Sequence, residues 1–184
     1  GLGTALCLQA NLTALAARRC ITPTHKLQLI LSEAIVSFGI HFVNVMILLV
    51  YLKYILKMEF NGQFLQMLPV ILVGCVIGVS LGIFVGSAGK LSEGIKVGII
   101  LGISMVCSFG AGLMAAQMKD IVERYCPILN RINPAALISD ALYCINVYDD
   151  PIRYGRSLAI LSILCVGLLT ASYLMVRRER YDSI

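Results

Sequence analysis

Four polar side chains lie along one long apolar segment of the sequence. They are Glu33, Ser37, His41 and Asn44, and their spacings of four, four and three residues place them on one face of a helix. Ionisable groups inside a membrane span usually face protein or water, and histidine is a residue type that often handles protons in proteins. This polar stripe therefore indicates one of two roles: hydrogen bonding between helices, with Glu33 near the lipid headgroups, or the lining of a pathway that contacts substrate.

The seven cysteines have no spacing typical of a metal or redox centre, so we predict no metal site. Cys126 and Cys144 share one segment between apolar runs. They are candidates for a disulfide if that segment faces an oxidising compartment, and for free thiols otherwise. The chain contains no HExxH helix, and neither a Ser–Lys pair nor two aspartates lie at membrane depth. We therefore predict no catalytic residue and no enzymatic activity.

The composition identifies an integral membrane protein. Of its 184 residues, 59% are apolar and 14% are charged, and a soluble domain could not bury that much apolar surface. The net charge is +5, but the basic residues lie mostly in short loops and at the ends of apolar runs, as membrane-orientation signals do. We predict contact with membrane lipid and no nucleic-acid surface. Because the chain begins at Gly1 without a signal segment, we expect it to be part of a longer protein.

The apolar runs predict a single all-α transmembrane domain over residues 1–184 with four full spans. Residues 1–26 are interpreted as the end of a truncated span followed by a basic elbow. Residues 27–118 contain three spans, at about 27–51, 64–89 and 95–118, each long enough for a core that needs about 20 residues. A last span at about 157–176 and a basic tail complete residues 157–184.

Glycines recur at every fourth position in the second and third of these spans. The two sets are Gly74, Gly78, Gly82 and Gly86, and then Gly94, Gly98 and Gly102. A helix places such residues on nearly the same face, and in lipid these ridges of small residues let backbones pack closely. We interpret the glycines as helix-packing residues rather than a binding site.

Residues 119–156 predict an outer hairpin of two short helices between the third and last spans. Ile121, Val122 and Tyr125 indicate an amphipathic helix that stops at Pro127. Asn133 followed by Pro134 has the chemistry of a helix start, so a second short helix is expected at about 135–145. Neither helix is long enough to span, and the pair is expected to dip into the membrane or to lie on its surface.

Basic residues flank three short segments, and an alternating topology places all three on the same side of the membrane. These are Arg18, Arg19 and Lys26, then Lys90 and Lys96, then Arg177, Arg178 and Arg180. The positive-inside rule makes that side, and the C-terminus, cytoplasmic. Residues 57–63 and 119–156 then lie outside.

In three places the sequence resembles the permease subunits of type-2 ABC exporters, specifically their C-terminal membrane half. These are the basic elbow at residues 17–26, the outer segment at 127–143 and the final span ending in Arg177-Arg178-Glu179-Arg180. The order of spans also matches, so the resemblance covers essentially the whole chain. It implies that residues 12–26 form a coupling helix against a separate ATP-hydrolysing subunit, with contacts from Leu15, Arg18, Arg19, Thr22, His25 and Lys26.

The resemblance also implies that Asn133, Pro134 and Asp140 belong to outer re-entrant helices that close the translocation path. ATP and Mg would be bound by the ATPase partner, with no cofactor on this chain, and a second identical or different permease would complete a dimer. The expected location is the plasma membrane of a bacterium. The alternative is a self-contained ion-coupled carrier or channel in which Glu33 and His41 handle protons. Dependence of transport on ATP would favour the permease, and a pH dependence that His41→Ala removes would favour the carrier or channel.

Overall fold

A computed structural model describes residues 26–57, 64–87, 91–148 and 150–178, and its regular elements are all helical. The elements are α1 (Lys26–Tyr54), α2 (Phe64–Gly86), α3 (Glu93–Gly110), α4 (Ala116–Tyr125), α5 (Pro127–Ile132), α6 (Pro134–Tyr143), a π-helical turn (Cys144–Tyr148) and α7 (Pro151–Arg178). This confirms the prediction of an all-α polytopic membrane protein.

Three of the described helices are long and apolar enough to cross a membrane: Leu31–Tyr54, Leu65–Gly86 and Pro151–Val176. The third predicted span is shorter than expected, because α3 ends at Gly110 rather than near Met118. At 1.5 Å per residue it reaches ~27 Å, against a hydrocarbon core of about 30 Å. The last helix begins at Pro151, six residues before the predicted start at Ser157.

The early end of α3 has a local cause in its C-terminal residues. Gly112 adopts a φ of 78°, a left-handed conformation that favours glycine. The Gly112 amide donates to the Phe109 carbonyl at 3.0 Å, and the Leu113 amide donates to the Ser108 carbonyl at 3.1 Å. These two bonds form a Schellman motif, which turns the chain out of the helix. The apolar residues after Gly112 therefore do not extend the span.

Helix α2 lies at the centre of the bundle and contacts α1, α3, α6 and α7. Its residues Val70 and Ile77 pack against Leu137 of α6 and against Leu161 and Cys165 of α7. Because burial of such side chains contributes about 1.5–3 kcal/mol each in water but little in lipid, close packing supplies much of the cohesion here.

Two hydrogen bonds define the relative direction of α2 and α7. The Tyr154 hydroxyl donates to the Gln66 carbonyl at 2.8 Å, and the Ser172 hydroxyl donates to the Ser80 carbonyl at 2.8 Å. Since the partners occur in the same order along both helices, α2 and α7 run parallel.

Helices α1 and α3 run in the opposite direction to α2. The beginning of α1 packs near the end of α2, where Phe38 lies against Val79 and Ile83 in a cluster that also includes Val176 of α7. The beginning of α3 contacts the same end, because the Lys96 ammonium donates to the Gly86 carbonyl at 2.7 Å. The start of α1, the end of α2, the start of α3 and the end of α7 therefore meet at one end of the bundle.

The short helices differ in how deeply they pack. Helix α6 inserts against α2 and α7, and it buries Ala136, Leu137 and Ala141. Helix α5 buries no residue, and Ile121 and Tyr125 of α4 are exposed. Helix α6 is thus embedded among the long helices, whereas α4 and α5 lie at the surface of this chain. Whether the short helices dip into the membrane or lie on its surface stays a prediction.

Candidate functional site

Asn133 starts α6 and also ties it to α3. Its Oδ1 accepts a hydrogen bond from the Ala135 amide at 3.0 Å, which confirms the predicted N-cap, and Pro134 occupies the first turn. Its Nδ2 donates to the Cys107 carbonyl of α3 at 2.7 Å. The second bond lies outside the prediction, because it depends on where α3 passes. One nearly buried amide thus stabilises both the helix start and a contact between helices.

Asp140, near the end of α6, is the centre of a charged cluster. Its carboxylate accepts two hydrogen bonds from the Arg153 guanidinium, from Nε at 3.1 Å and from Nη2 at 2.8 Å. The Ser157 hydroxyl donates to it at 3.2 Å, and the Lys119 ammonium lies 3.5 Å away. We call these four residues the Asp140 cluster. We call the end of the bundle where the start of α1 meets the end of α2 the basic end, after the basic residues predicted there. The Asp140 cluster joins α4, α6 and α7 at the opposite end, near the start of α2.

The Asp140 cluster lies at the boundary between packed protein and solvent. The side chain of Asp140 is 17% exposed, compared with 31% for Lys119 and 49% for Arg153. Each cation also lies near an aromatic ring, Lys119 over Tyr143 at 6.0 Å and Arg153 over Tyr148 at 5.6 Å. A bidentate Arg–carboxylate pair is among the stronger ionic contacts and restricts geometry as well as distance. The arrangement can therefore hold α6 in one orientation against α7.

The sequence singled out Asp140 but none of its partners. The signal that could have found them is the balance of charge in residues 119–156, which contain five basic and five acidic residues. Equal numbers of basic and acidic residues do not show which side chains pair, because Arg153 and Ser157 reach Asp140 only after the π-helical turn reverses the chain.

Cys126 and Cys144 are both free thiols in the structure, as in the second of the two alternatives that the sequence leaves open. Cys126 is exposed at the junction of α4 and α5, whereas Cys144 is buried at the start of the π-helical turn. Burial and, second, the nearby Asp140 carboxylate raise the pKa of the Cys144 thiol.

A cleft of about 500 Å³ lies beside Asn133, between the end of α3 and the α4–α5 junction. Its lining is almost entirely apolar and includes Cys107, Tyr125 and Ile132. One turn before Asn133, the Nδ2 and Oδ1 atoms of Asn130 are buried without a hydrogen-bond partner among the described residues. This amide therefore contributes no polar contact to the described fold.

The predicted polar stripe lies beside the packed face of α1. Glu33 and Ser37 are half-buried, and His41 and Asn44 are exposed. Among the described residues we find no hydrogen bond from the side chains of Ser37, His41 or Asn44. Their face is therefore available to lipid, to another chain or to a pathway, and the choice between the two predicted roles stays open.

The glycines divide into packed and open positions. Gly82 and Gly86 are buried, and a Cβ added at Gly74 would lie 3.1 Å from Cδ1 of Ile138 on α6. A Cβ would meet no atom within 4 Å at Gly78, Gly94, Gly98 or Gly102. The ridges of α2 and α3 are thus not packed against one another in this chain, and the ridge of α3 faces outward.

Most of the predicted coupling elbow lies outside the described residues. Leu15, Arg18, Arg19, Thr22 and His25 belong to this group, and Lys26 begins α1. Near the same end of the bundle, Lys96 is fully buried and donates to the last carbonyl of α2. From the sequence, Lys96 is identified only as a membrane-orientation signal, because its position gives no indication of burial.

Comparison with protein families gives one extensive match. The model of the ABC-2 family transporter proteins matches residues 2–174, which include the elbow, every described helix up to the last turn of α7 and the Asp140 cluster. Comparison with curated proteins and with solved structures gave no match. Because the family match covers nearly the whole sequence, this chain belongs to the ABC-2 family of transporter proteins.

Proposed function

We propose that this chain is the C-terminal membrane half of a permease that exports its substrate with energy from a partner ATPase. The observation that carries the proposal is the family match over residues 2–174, which includes both the elbow and the last span. ABC-2 permeases are membrane subunits that normally work with an ATPase and are generally not catalytic themselves. The three described helices long enough to span a membrane, the shorter apolar α3 and the embedded α6 suit that role.

The proposed orientation places the basic end of the bundle in the cytoplasm of a bacterial cell. Its support is geometric, since the start of α1, the end of α2, the start of α3 and the end of α7 meet at one end. Short loops and span ends on the cytoplasmic side of a membrane carry an excess of Lys and Arg. The Asp140 cluster and helices α4 to α6 would then lie at the outer side of the plasma membrane.

Two partners follow from this proposal. An ATP-binding cassette subunit would bind ATP and Mg and would contact the elbow through Leu15, Arg18, Arg19, Thr22, His25 and Lys26. A second permease, identical or different, would complete the dimer. The exposed glycines of α3 and the exposed His41 and Asn44 of α1 offer two faces for that second chain or for the translocation path.

The proposed cycle alternates between inward-open and outward-open states whose populations are biased by nucleotide. Helices α2 and α7, joined by hydrogen bonds near both ends, would move as one unit. The elbow would transmit closure of the ATPase to this unit through α1, which packs on α2. The residues of this chain would position helices and perform no chemistry.

Co-purification tests the proposal directly. The full-length protein would be expressed with its neighbouring gene products and captured by a tag, and bound ATPase would be measured by nucleotide hydrolysis in the eluate. We expect the ATPase to be captured with the wild type and lost with Arg18→Glu/Arg19→Glu. The matched control is Arg124→Glu/Arg131→Glu, which reverses two exposed charges at the opposite end of the bundle. Loss of ATPase in both variants, or in neither, would contradict the assigned coupling surface.

Reconstitution separates this proposal from the carrier alternative. An ATP-driven permease should transport in liposomes only when its ATPase and ATP are present. A chain that purifies alone and transports without ATP, with a pH dependence that His41→Ala removes, would establish the polar stripe as a proton pathway instead.

A further inference from the structure

Helix α6 is tied to neighbouring helices near both of its ends. At its start, Asn133 donates to the Cys107 carbonyl of α3 at 2.7 Å. Near its end, Asp140 binds Arg153 and Ser157 of α7 and approaches Lys119 of α4. Between these points α6 contacts its neighbours mainly through apolar side chains, which impose little directional restraint.

The connection from α6 to α7 can absorb a change of angle. It contains the π-helical turn Cys144–Tyr148, and α7 begins at Pro151. Asp150 caps α7, because its Oδ1 accepts a hydrogen bond from the Ile152 amide at 3.1 Å. Short π-helical segments are rare and concentrate at functional sites. The Asp140–Arg153 pair closes across this turn, so it sets the angle between α6 and α7 while it is formed.

We propose that the Asp140 cluster is an ionic lock that holds α6 against α7 in one state of the transport cycle and opens in the other. This inference rests on the proposed function, because it assigns the lock to the nucleotide-driven cycle of a permease. The substrate path would be closed on the side of α6 while the lock is formed.

The position of the cluster makes such a lock reversible. Asp140 and its two cations all retain contact with solvent, so water can solvate each group when the pairs separate. A fully buried pair would leave an unsolvated charge behind on opening. The lock thus combines the geometric specificity of a bidentate pair with a modest cost of opening.

Cys144 is a natural reporter for the lock. Its side chain is only 1% exposed, and it lies at the start of the turn about which α6 would move. Cys126 is exposed on the same side of the bundle and supplies an internal reference. Maleimide labelling of each thiol, measured by peptide mass spectrometry, therefore compares a protected site with an open one in the same molecule.

Arg153→Gln distinguishes opening from a direct effect on the thiol. Burial and the Asp140 carboxylate raise the pKa of Cys144, whereas the Arg153 charge lowers it. Removal of Arg153 should therefore reduce the thiolate fraction and slow labelling if electrostatics alone operate, since the thiolate is the reactive form. Opening of the lock predicts the opposite, roughly a 10-fold faster labelling of Cys144.

The experiment uses the full-length permease with its ATPase in nanodiscs, where maleimide reaches both sides. We expect Arg153→Gln to accelerate the labelling of Cys144 but not that of Cys126. Ser157→Ala should accelerate the labelling of Cys144 less, and Cys144 in Arg156→Gln should be labelled at the wild-type rate. Arg156 is an exposed arginine in the same turn region of α7, and Ser157→Ala removes one hydrogen bond only, so both should fold. Labelling of Cys144 in Ser157→Ala and Arg153→Gln at or below the wild-type rate would overturn the lock.

Dependence on nucleotide separates a lock from a static brace. In the wild-type complex, the rate of maleimide labelling at Cys144 should differ severalfold between the nucleotide-free and ATP-trapped states. Arg153→Gln should remove this difference. Equal wild-type rates in both states, with ATPase bound, would overturn the inference while leaving the proposed function intact. Failure to capture any ATPase would instead count against the proposed function, and the effect of Arg153→Gln on the permease alone would still show whether the cluster restrains α6.

Discussion

Substitutions of Asn133 should distinguish a helix cap from a contact between helices. Capping preferences treat Asn, Asp and Ser as nearly equivalent, so the cap alone predicts that Asn133→Asp and Asn133→Ser have little effect on stability. The structure predicts otherwise, because Nδ2 also donates to the Cys107 carbonyl. Neither Asp nor Ser can supply that amide donor in the same place.

The expected magnitudes follow from the two bonds. Loss of the cap costs about 1 kcal/mol and loss of the Nδ2 bond costs about 1 kcal/mol, so Asn133→Ala should lower the unfolding free energy by about 2 kcal/mol. The Cys107 carbonyl keeps a second donor, the Ala111 amide at 3.0 Å, so no further penalty is expected there. Asn133→Ser should cost about 1 kcal/mol. Asn133→Asp should cost about 2–4 kcal/mol, since it places a buried carboxylate against a carbonyl oxygen.

The measurement is unfolding of the purified protein in mixed detergent micelles, followed by far-UV circular dichroism as the fraction of denaturing detergent rises. Asn130→Ala is the matched control, because the Asn130 amide is buried in the same segment without a described partner. Asn130→Ala should not lower stability, because it removes a buried amide whose desolvation no described hydrogen bond offsets. Stability of Asn133→Asp equal to that of wild type would refute the contact with α3.

Two further predictions use the same unfolding measurement. Lys96→Met should lower the unfolding free energy by about 1.5–3 kcal/mol, because it removes a buried charged hydrogen bond to the Gly86 carbonyl at the end of α2. An unchanged midpoint of the unfolding transition would show that this contact is dispensable. Gly74→Leu should cost about 1–3 kcal/mol, because even its Cβ would lie 3.1 Å from Ile138. Gly78→Leu, one turn further along α2, meets open space in this chain and should be nearly neutral, so equal losses at both positions would contradict the described packing of α6.

Local sequence features predicted the elements of this protein well. Uninterrupted apolar runs located α1, α2 and α7, and Asn133 followed by Pro134 located the start of α6, because length, hydropathy and capping chemistry act within a few residues. The end of α3 was wrong by about two turns. The residues after Gly110 are still apolar, and hydropathy does not report the left-handed turn at Gly112 that ends the helix.

The sequence by itself determined that this protein is helical, crosses the membrane several times and carries most of its basic residues in short loops and near the ends of its apolar runs. Those properties follow from the identity of neighbouring residues and from the solvent that each must meet. Only the tertiary structure decided which residues meet: Asp140 meets Arg153, Asn133 meets the Cys107 carbonyl, and Gly74 rather than Gly78 lies against α6. Such pairs depend on the relative direction and rotation of whole helices, which arise from the packing of all of them together.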